Sequence, residues 1–285
     1  MDKTTTIIIG IALILIMLGM GLSLIPDNFR NVLKQPKAVV VGLINQLILL
    51  PIIGFSIIFL FPMQPEIAVG FMILSACPGG AVSNLICYLA KADLALSVSL
   101  TAISSIFSVF TIPIIINFSL SYFIKEENTI KLSLLETLGQ IAVVIIIPII
   151  LGMLIRYYKP IFALKTEKLV RTVSTIVLLS IILGVLFKER YNLLNYLQQA
   201  GISTFLLNIS TALIGFISAK LIKLKTPQAL SISIESGIQN SALAITIAIV
   251  LLNNTKFAVA ASIYTLSMYI TGGIIIFLAH KYIKN

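Results

Sequence analysis

Charge is scarce in this chain. Asp, Glu, Lys and Arg make up only 11% of the 285 residues, whereas 59% are hydrophobic. A soluble domain is about 25% charged and at most half apolar, so a water-soluble globular protein is excluded. Cysteine is nearly absent too. Cys77 and Cys87 both fall within apolar sequence, at no metal-ligand spacing and with no disulfide framework around them. Histidine occurs once, as His280 beside Lys281 in the C-terminal tail. No catalytic pair or metal motif accompanies it, which argues against an enzyme. The charge that is present is lopsided, with 20 Lys and Arg against 10 Asp and Glu. These basic residues occupy short gaps between apolar runs, the pattern of cytoplasmic loops and not of a nucleic-acid-binding surface.

Apolar runs are what the chain has in abundance. A membrane-crossing helix needs about 20 mostly apolar residues. Nine stretches approach that rule: 5–25, 38–61, 67–90, 94–118, 134–155, 172–187, 200–222, 227–251 and 257–279. They lack the strict alternation of barrel strands and are too long for them. The expectation is an all-α integral membrane protein with about nine transmembrane helices, forming one domain over residues 1–285. The first stretch is long and lacks a small-residue cleavage site, so it reads as a retained helix. Lys and Arg concentrate after stretches 1, 3, 5 and 7 and in the C-terminal tail, at more than twice their number on the other side. The positive-inside rule therefore places the N-terminus outside and the C-terminus in the cytoplasm of a cell membrane. The connecting segments are short, so function is expected inside the bundle.

Of the ten acidic residues, Glu235 alone lies well within an apolar stretch. A charge there costs about 3 kcal/mol unless it is paired, protonated or coordinating a cation. No Lys or Arg lies at similar depth, which leaves cation coordination, proton carriage, or a protonated side chain bonded to a neighbouring helix. Ser236, Gly237, Ile238, Gln239 and Asn240 follow it. Gly237 can loosen the helix and free nearby carbonyls, while Gln239 and Asn240 add amide oxygens and donors. The third stretch carries a matching interruption, Cys77-Pro78-Gly79-Gly80, followed by Ala81, Val82, Ser83 and Asn84. Two interrupted helices in different halves of a chain point to an inverted-repeat secondary transporter with its site at the bilayer midplane. Ser97 and Thr101, four residues apart, share a helix face. Gln46 lies mid-stretch beside Asn45, with Pro51 a turn later. Each of these also has a plain structural reading, as a hydroxyl bonded to its own helix or an amide bonding two helices. All the candidates offer oxygen, which suits a hard cation. With a single carboxylate, Na⁺ is easier to hold than Ca²⁺.

The segment Pro78-Gly79-Gly80-Ala81-Val82-Ser83-Asn84, then Tyr88-Leu89-Ala90 and Ala95-Leu96-Ser97, resembles one fingerprint of the bile acid:sodium symporter family. Glu235-Ser236-Gly237-Ile238-Gln239-Asn240-Ser241 is similar to its second fingerprint. Met20-Gly21-Leu22 and Asn45-Gln46 with Pro51 match in order and spacing. The resemblance implies a core and a panel domain built from inverted repeats, with two broken helices that cross. Residues 5–118 would be a first repeat lacking one helix, and 134–279 the second. It implies two sodium sites. One would use Ser83, Asn84, Ser97, Thr101 and Glu235; the other Gln46, Glu235, Gln239 and the carbonyls of Ser236 and Ile238. On the substrate side it implies Asn240 and the amides that follow Gly80, with Ala81 where relatives often have Thr. Met268 and Tyr269 stand where many bacterial relatives carry His-Asn. The implied activity is sodium-coupled symport of an organic anion, bile-acid-like or a smaller acid such as a pantoate or keto acid. The alternative is a proton-coupled carrier or exporter of the same fold. The expected partners are the anion and the lipid bilayer, with no nucleic acid and no obligate protein.

Overall fold

A computed structural model of the chain describes residues 3–25, 33–124, 134–188 and 190–282. The apolar stretches are largely helical, the third and eighth being interrupted at 77–80 and 238–240, and the described residues contain no strand. In chain order the helices are α1 (Lys3–Ser23), α2 (Pro36–Leu60), α3 (Pro65–Ala76), α4 (Ala81–Leu89), α5 (Leu94–Phe123), α6 (Leu134–Tyr158), α7 (Pro160–Lys188), α8 (Leu193–Leu221), α9 (Thr226–Gly237), α10 (Ser241–Leu251) and α11 (Phe257–Tyr282). Among the described residues, α2, α5, α8 and α11 are long and apolar enough to cross a membrane by length and composition. The sixth stretch, expected at 172–187, is the second half of a helix that begins at Pro160. Lys165, Glu167, Lys168 and Arg171 interrupt the apolar run without interrupting the helix, because Lys, Glu and Arg are good helix formers.

Local chemistry sets the helix starts. Proline opens α2, α3 and α9 within the first turn, where its missing N–H costs nothing. Asp93 caps α5 by accepting the Leu96 N–H at 3.0 Å. Its other carboxylate oxygen accepts from Gln35 at 2.9 Å, and Gln228 donates to Gln35 at 2.8 Å. That chain of polar groups ties the first turns of α2, α5 and α9 together at one end of the bundle.

Two interruptions organise the interior. α3 ends at Ala76 because Pro78 biases Cys77 to extended backbone, and Gly80 is also extended before α4 begins. α9 ends at Gly237, Ile238 is extended, and the Asn240 side chain caps α10 by accepting the Leu243 N–H at 3.1 Å. Gly79 and Gln239 form an antiparallel bridge, and the Asn240 N–H donates to the Pro78 carbonyl at 2.9 Å. The two interruptions therefore cross, each supplying backbone partners that the other lost on leaving the helix.

α1 packs mainly on α6 and α7 and reaches the remaining helices through α10. A side chain at Gly21 would overlap the Ile149 carbonyl, and one at Gly152 would overlap backbone of α1. The α1 and α6 backbones are thus in direct contact, the close approach that small residues permit where no hydrophobic force drives helices together. At the far ends of α2 and α5, Phe55, Phe59, Phe118, Tyr122 and Phe123 form an aromatic cluster, as expected near a membrane–water interface.

Candidate cation site at the helix crossing

Glu235 is fully buried in the last turn of α9. Its Oε1 accepts from the hydroxyls of Ser83 and Ser97, each at 2.6 Å. Oε2 accepts from Thr101 at 2.9 Å and from Gln46 Nε2 at 3.1 Å. Ser83 comes from α4, Ser97 and Thr101 from α5, and Gln46 from α2, so four helices converge on one carboxyl group. That arrangement matches an ionised carboxylate, which offers about four acceptor positions and no donor.

The hydroxyls around it are short of protons. Ser83 also lies 2.7 Å from the Gly80 carbonyl. Ser97 also lies 2.7 Å from Asn84 Oδ1, and Thr101 lies 3.4 Å from the same atom. Each of the three hydroxyls therefore faces two acceptor oxygens with a single proton. A cation among these oxygens, a proton on the carboxyl group, or the Asn84 amide turned to present its nitrogen would each relieve that shortage. On the other side of Glu235, the amide nitrogens of Gln46 and Gln239 both donate to its backbone carbonyl, at 2.9 and 3.1 Å. Gln239 donates to the Ser236 carbonyl as well, at 2.7 Å. Gln46 Oε1, Gln239 Oε1 and Ser236 Oγ are buried without a hydrogen-bond partner. Unpartnered buried acceptors are uncommon, and an ion is one of the few things that satisfies them. No group of three or more His, Cys, Asp or Glu exists among the described residues to favour a softer metal.

The backbone explains how these groups meet. Gln46 sits in a π turn, Asn45–Leu49, which rotates it relative to regular helix. Pro51 cannot donate back to that turn, which favours the irregularity. Asn45 is a brace, donating to the Val41 carbonyl at 2.8 Å and to Ser218 of α8 at 2.9 Å. Ser97 and Thr101 are one helical turn apart, and both face α9. Gly79 was not a candidate in the sequence, yet a side chain there would overlap Glu235 Oε2. Only glycine lets the crossing strand pass the carboxylate.

Of the residues expected to meet an anion, Gly80 and Asn240 lie at the crossing. Gly80 and Asn240 face each other, and Asn240 is buried while Ala81 is exposed. Met268 is buried in α11, and Tyr269, the next residue, is half-exposed. Among the described residues, neither is hydrogen-bonded to the Glu235 cluster. The sequence also passed over Asn208 and Tyr264. Both donate to the Gly237 carbonyl at the second interruption. Asn208 carried a usable signal, being a strongly polar residue in the middle of the seventh stretch. Tyr264 carried none, since nothing in the sequence says where its hydroxyl points. Cys77 and Cys87 are buried free thiols.

Comparison with known proteins gives the family. The profile of the Sodium Bile acid symporter family matches residues 10–196. An uncharacterized sodium-dependent transporter of Bacillus subtilis (strain 168), YocS, is 34% identical over 243 residues, covering 84% of this chain and 71% of the relative. The probable chloroplastic sodium/metabolite cotransporter BASS1 of Arabidopsis thaliana is 28% identical over 273 residues, covering 93% of this chain and 65% of the relative. The ileal sodium/bile acid cotransporter of Homo sapiens is 26% identical over 246 residues, covering 84% and 68%. The chain thus spans about two thirds of these relatives' length. The matched family and the relatives' names are those of membrane transporters and not of enzymes. The chain belongs to the sodium bile acid symporter family.

Proposed function

We propose that this protein couples Na⁺ moving down its gradient to the uptake of a monovalent organic anion. The observation that carries the reading is the proton shortage around Glu235, where Ser83, Ser97 and Thr101 each face two acceptors. One Na⁺ is held by Ser83, Asn84, Ser97, Thr101 and Glu235. A second is held by Gln46, Glu235, Gln239 and the carbonyls of Ser236 and Ile238. The unpartnered oxygens of Gln46 and Gln239 support this second site. One carboxylate shared by two cations leaves a local charge of about +1, which attracts a monoanion in a low-dielectric site. The anion lies against Asn240 and the first amides of α4 after Gly80, with Ala81, Met268 and Tyr269 as further contacts. Met268 and Tyr269 favour a smaller organic acid, of pantoate or keto-acid size, over a bile acid.

The fold is read as inverted repeats over about nine spans, α1–α5 against α6–α11, with the N-terminus outside. α1, α6 and α7 form the panel and the other helices the core. Alternating access is panel motion against the core. α10 is buried over residues 241–249, whereas α4 exposes Ala81, Leu85, Tyr88 and Leu89.

The test is thermal stability of the purified protein with small organic acids, in NaCl and then in KCl at equal ionic strength. An acid that binds with Na⁺ stabilises the protein by about 2.7 kcal/mol at a hundred times its Kd, and the same acid in KCl does not. Glu235→Gln, which keeps size and removes charge, is expected to lose the sodium effect entirely. Stabilisation that is equal in both salts and follows pH overturns the sodium reading in favour of a proton-coupled carrier.

A further inference from the structure

The interruption between α9 and α10 takes Ile238, Gln239 and Asn240 out of regular helix. The Gly237 carbonyl before it accepts from two side chains on two other helices, the Asn208 amide of α8 and the Tyr264 hydroxyl of α11. Asn208 Nδ2 also lies 3.3 Å from the Tyr264 oxygen. Both side chains are fully buried. Tyr264 is the eighth residue of α11, as Thr101 is the eighth of α5. Thr101 turns its hydroxyl onto the Glu235 carboxylate, and Tyr264 turns its own onto the backbone two residues later.

This clamp decides which oxygens of the unwound segment remain free. The Gly237 carbonyl is drawn toward α8 and α11 and is spent there. Two residues on, Gln239 is left with its amide nitrogen on the Glu235 and Ser236 carbonyls and its Oε1 unpartnered. We infer that Tyr264 and Asn208 are positioning residues for the cation site: they hold the 237–239 backbone in the shape that presents Gln239 and its neighbours, and so set Na⁺ affinity without touching ion or anion. The inference rests on the sodium reading above and deepens it. Without the clamp, the segment samples other conformations, and Na⁺ binding must supply its ordering, which lowers affinity.

The experiment is a titration of NaCl against KCl at constant ionic strength, read by thermal unfolding of the full chain in detergent. Tyr264→Phe keeps the ring in its packing and removes only the hydroxyl. The half-saturating Na⁺ concentration is expected to rise about ten-fold, equal to about 1.4 kcal/mol. Asn208→Ser is expected to shift it in the same direction by less, because Tyr264 keeps its own bond. A residue that only stabilises the fold lowers the melting temperature equally in both salts and leaves half-saturation where it was. That result in Tyr264→Phe, or in Asn208→Ser should Tyr264→Phe fail to fold, overturns the clamp while leaving the sodium reading intact. A wild-type protein that responds identically to NaCl and KCl overturns the sodium reading and the clamp with it.

Discussion

A methyl group is enough to separate Gly79 from every other residue at its position. Its Cβ would occupy the place of Glu235 Oε2, and Glu235 cannot swing aside without leaving Ser83, Ser97, Thr101 and Gln46. Gly79→Ala is therefore expected to abolish sodium-dependent stabilisation while the chain still inserts and folds, measured by thermal shift in NaCl against KCl. Thr101→Val preserves shape and removes one oxygen from the site. It is expected to weaken Na⁺ binding about ten-fold, a typical loss for one hydrogen-bonding or ligating group in a buried polar network. A sodium titration of the variant checks it, and an unchanged midpoint would remove Thr101 from the ligand set. These side chains were legible in the sequence because each is polar inside an apolar run. Gly79 was not separable from Gly80 there, since which glycine meets the carboxylate depends on how the two interruptions cross.

Helices in this protein are arranged by where their regularity fails. α2 is irregular at Asn45–Leu49, the π turn that carries Gln46, and α3–α4 and α9–α10 are fully interrupted. Pro78 and Gly237 announced the two interruptions, because proline removes a donor and glycine tolerates unwinding, whereas the π turn of α2 was not anticipated. The start of α7 was not announced: its first half is too charged to read as a span, although its residues favour helix. Two elements invite direct tests. Asp93 caps α5 and holds Gln35, so Asp93→Ala is expected to destabilise the protein by about 1 kcal/mol through the lost cap, seen as a lower melting temperature in both salts. Gly152 lies against the α1 backbone, and Gly152→Val is expected to force α6 from α1 and to destabilise the fold by about 2 kcal/mol, the scale of an overpacked core. An unaltered melting temperature would mean that α1 and α6 part without cost.

Across the bundle, Glu235 is the only buried acidic residue among the described residues, and the proposed coupling makes charge balance testable. If two Na⁺ and one monoanion move together, each cycle carries a net positive charge inward. Uptake into proteoliposomes is then expected to accelerate when a potassium diffusion potential makes the lumen negative, each charge gaining about 2.3 kcal/mol per 100 mV. Uptake that ignores the potential would require one Na⁺ per anion or a different coupling ion.

Membrane embedding, the apolar helices and the oddity of Glu235 follow from composition along the chain. They are legible because lipid imposes a length and a polarity on each segment independently of its neighbours. What Glu235 touches is a different kind of fact. Ser83 and Gln46 are 152 and 189 residues away from it in sequence, and Tyr264 acts through a backbone carbonyl that any residue could offer. Those pairings exist because two unwound segments cross and four helices close around them. They depend on distances between elements, and a linear pattern carries no information about such distances until the helices have packed.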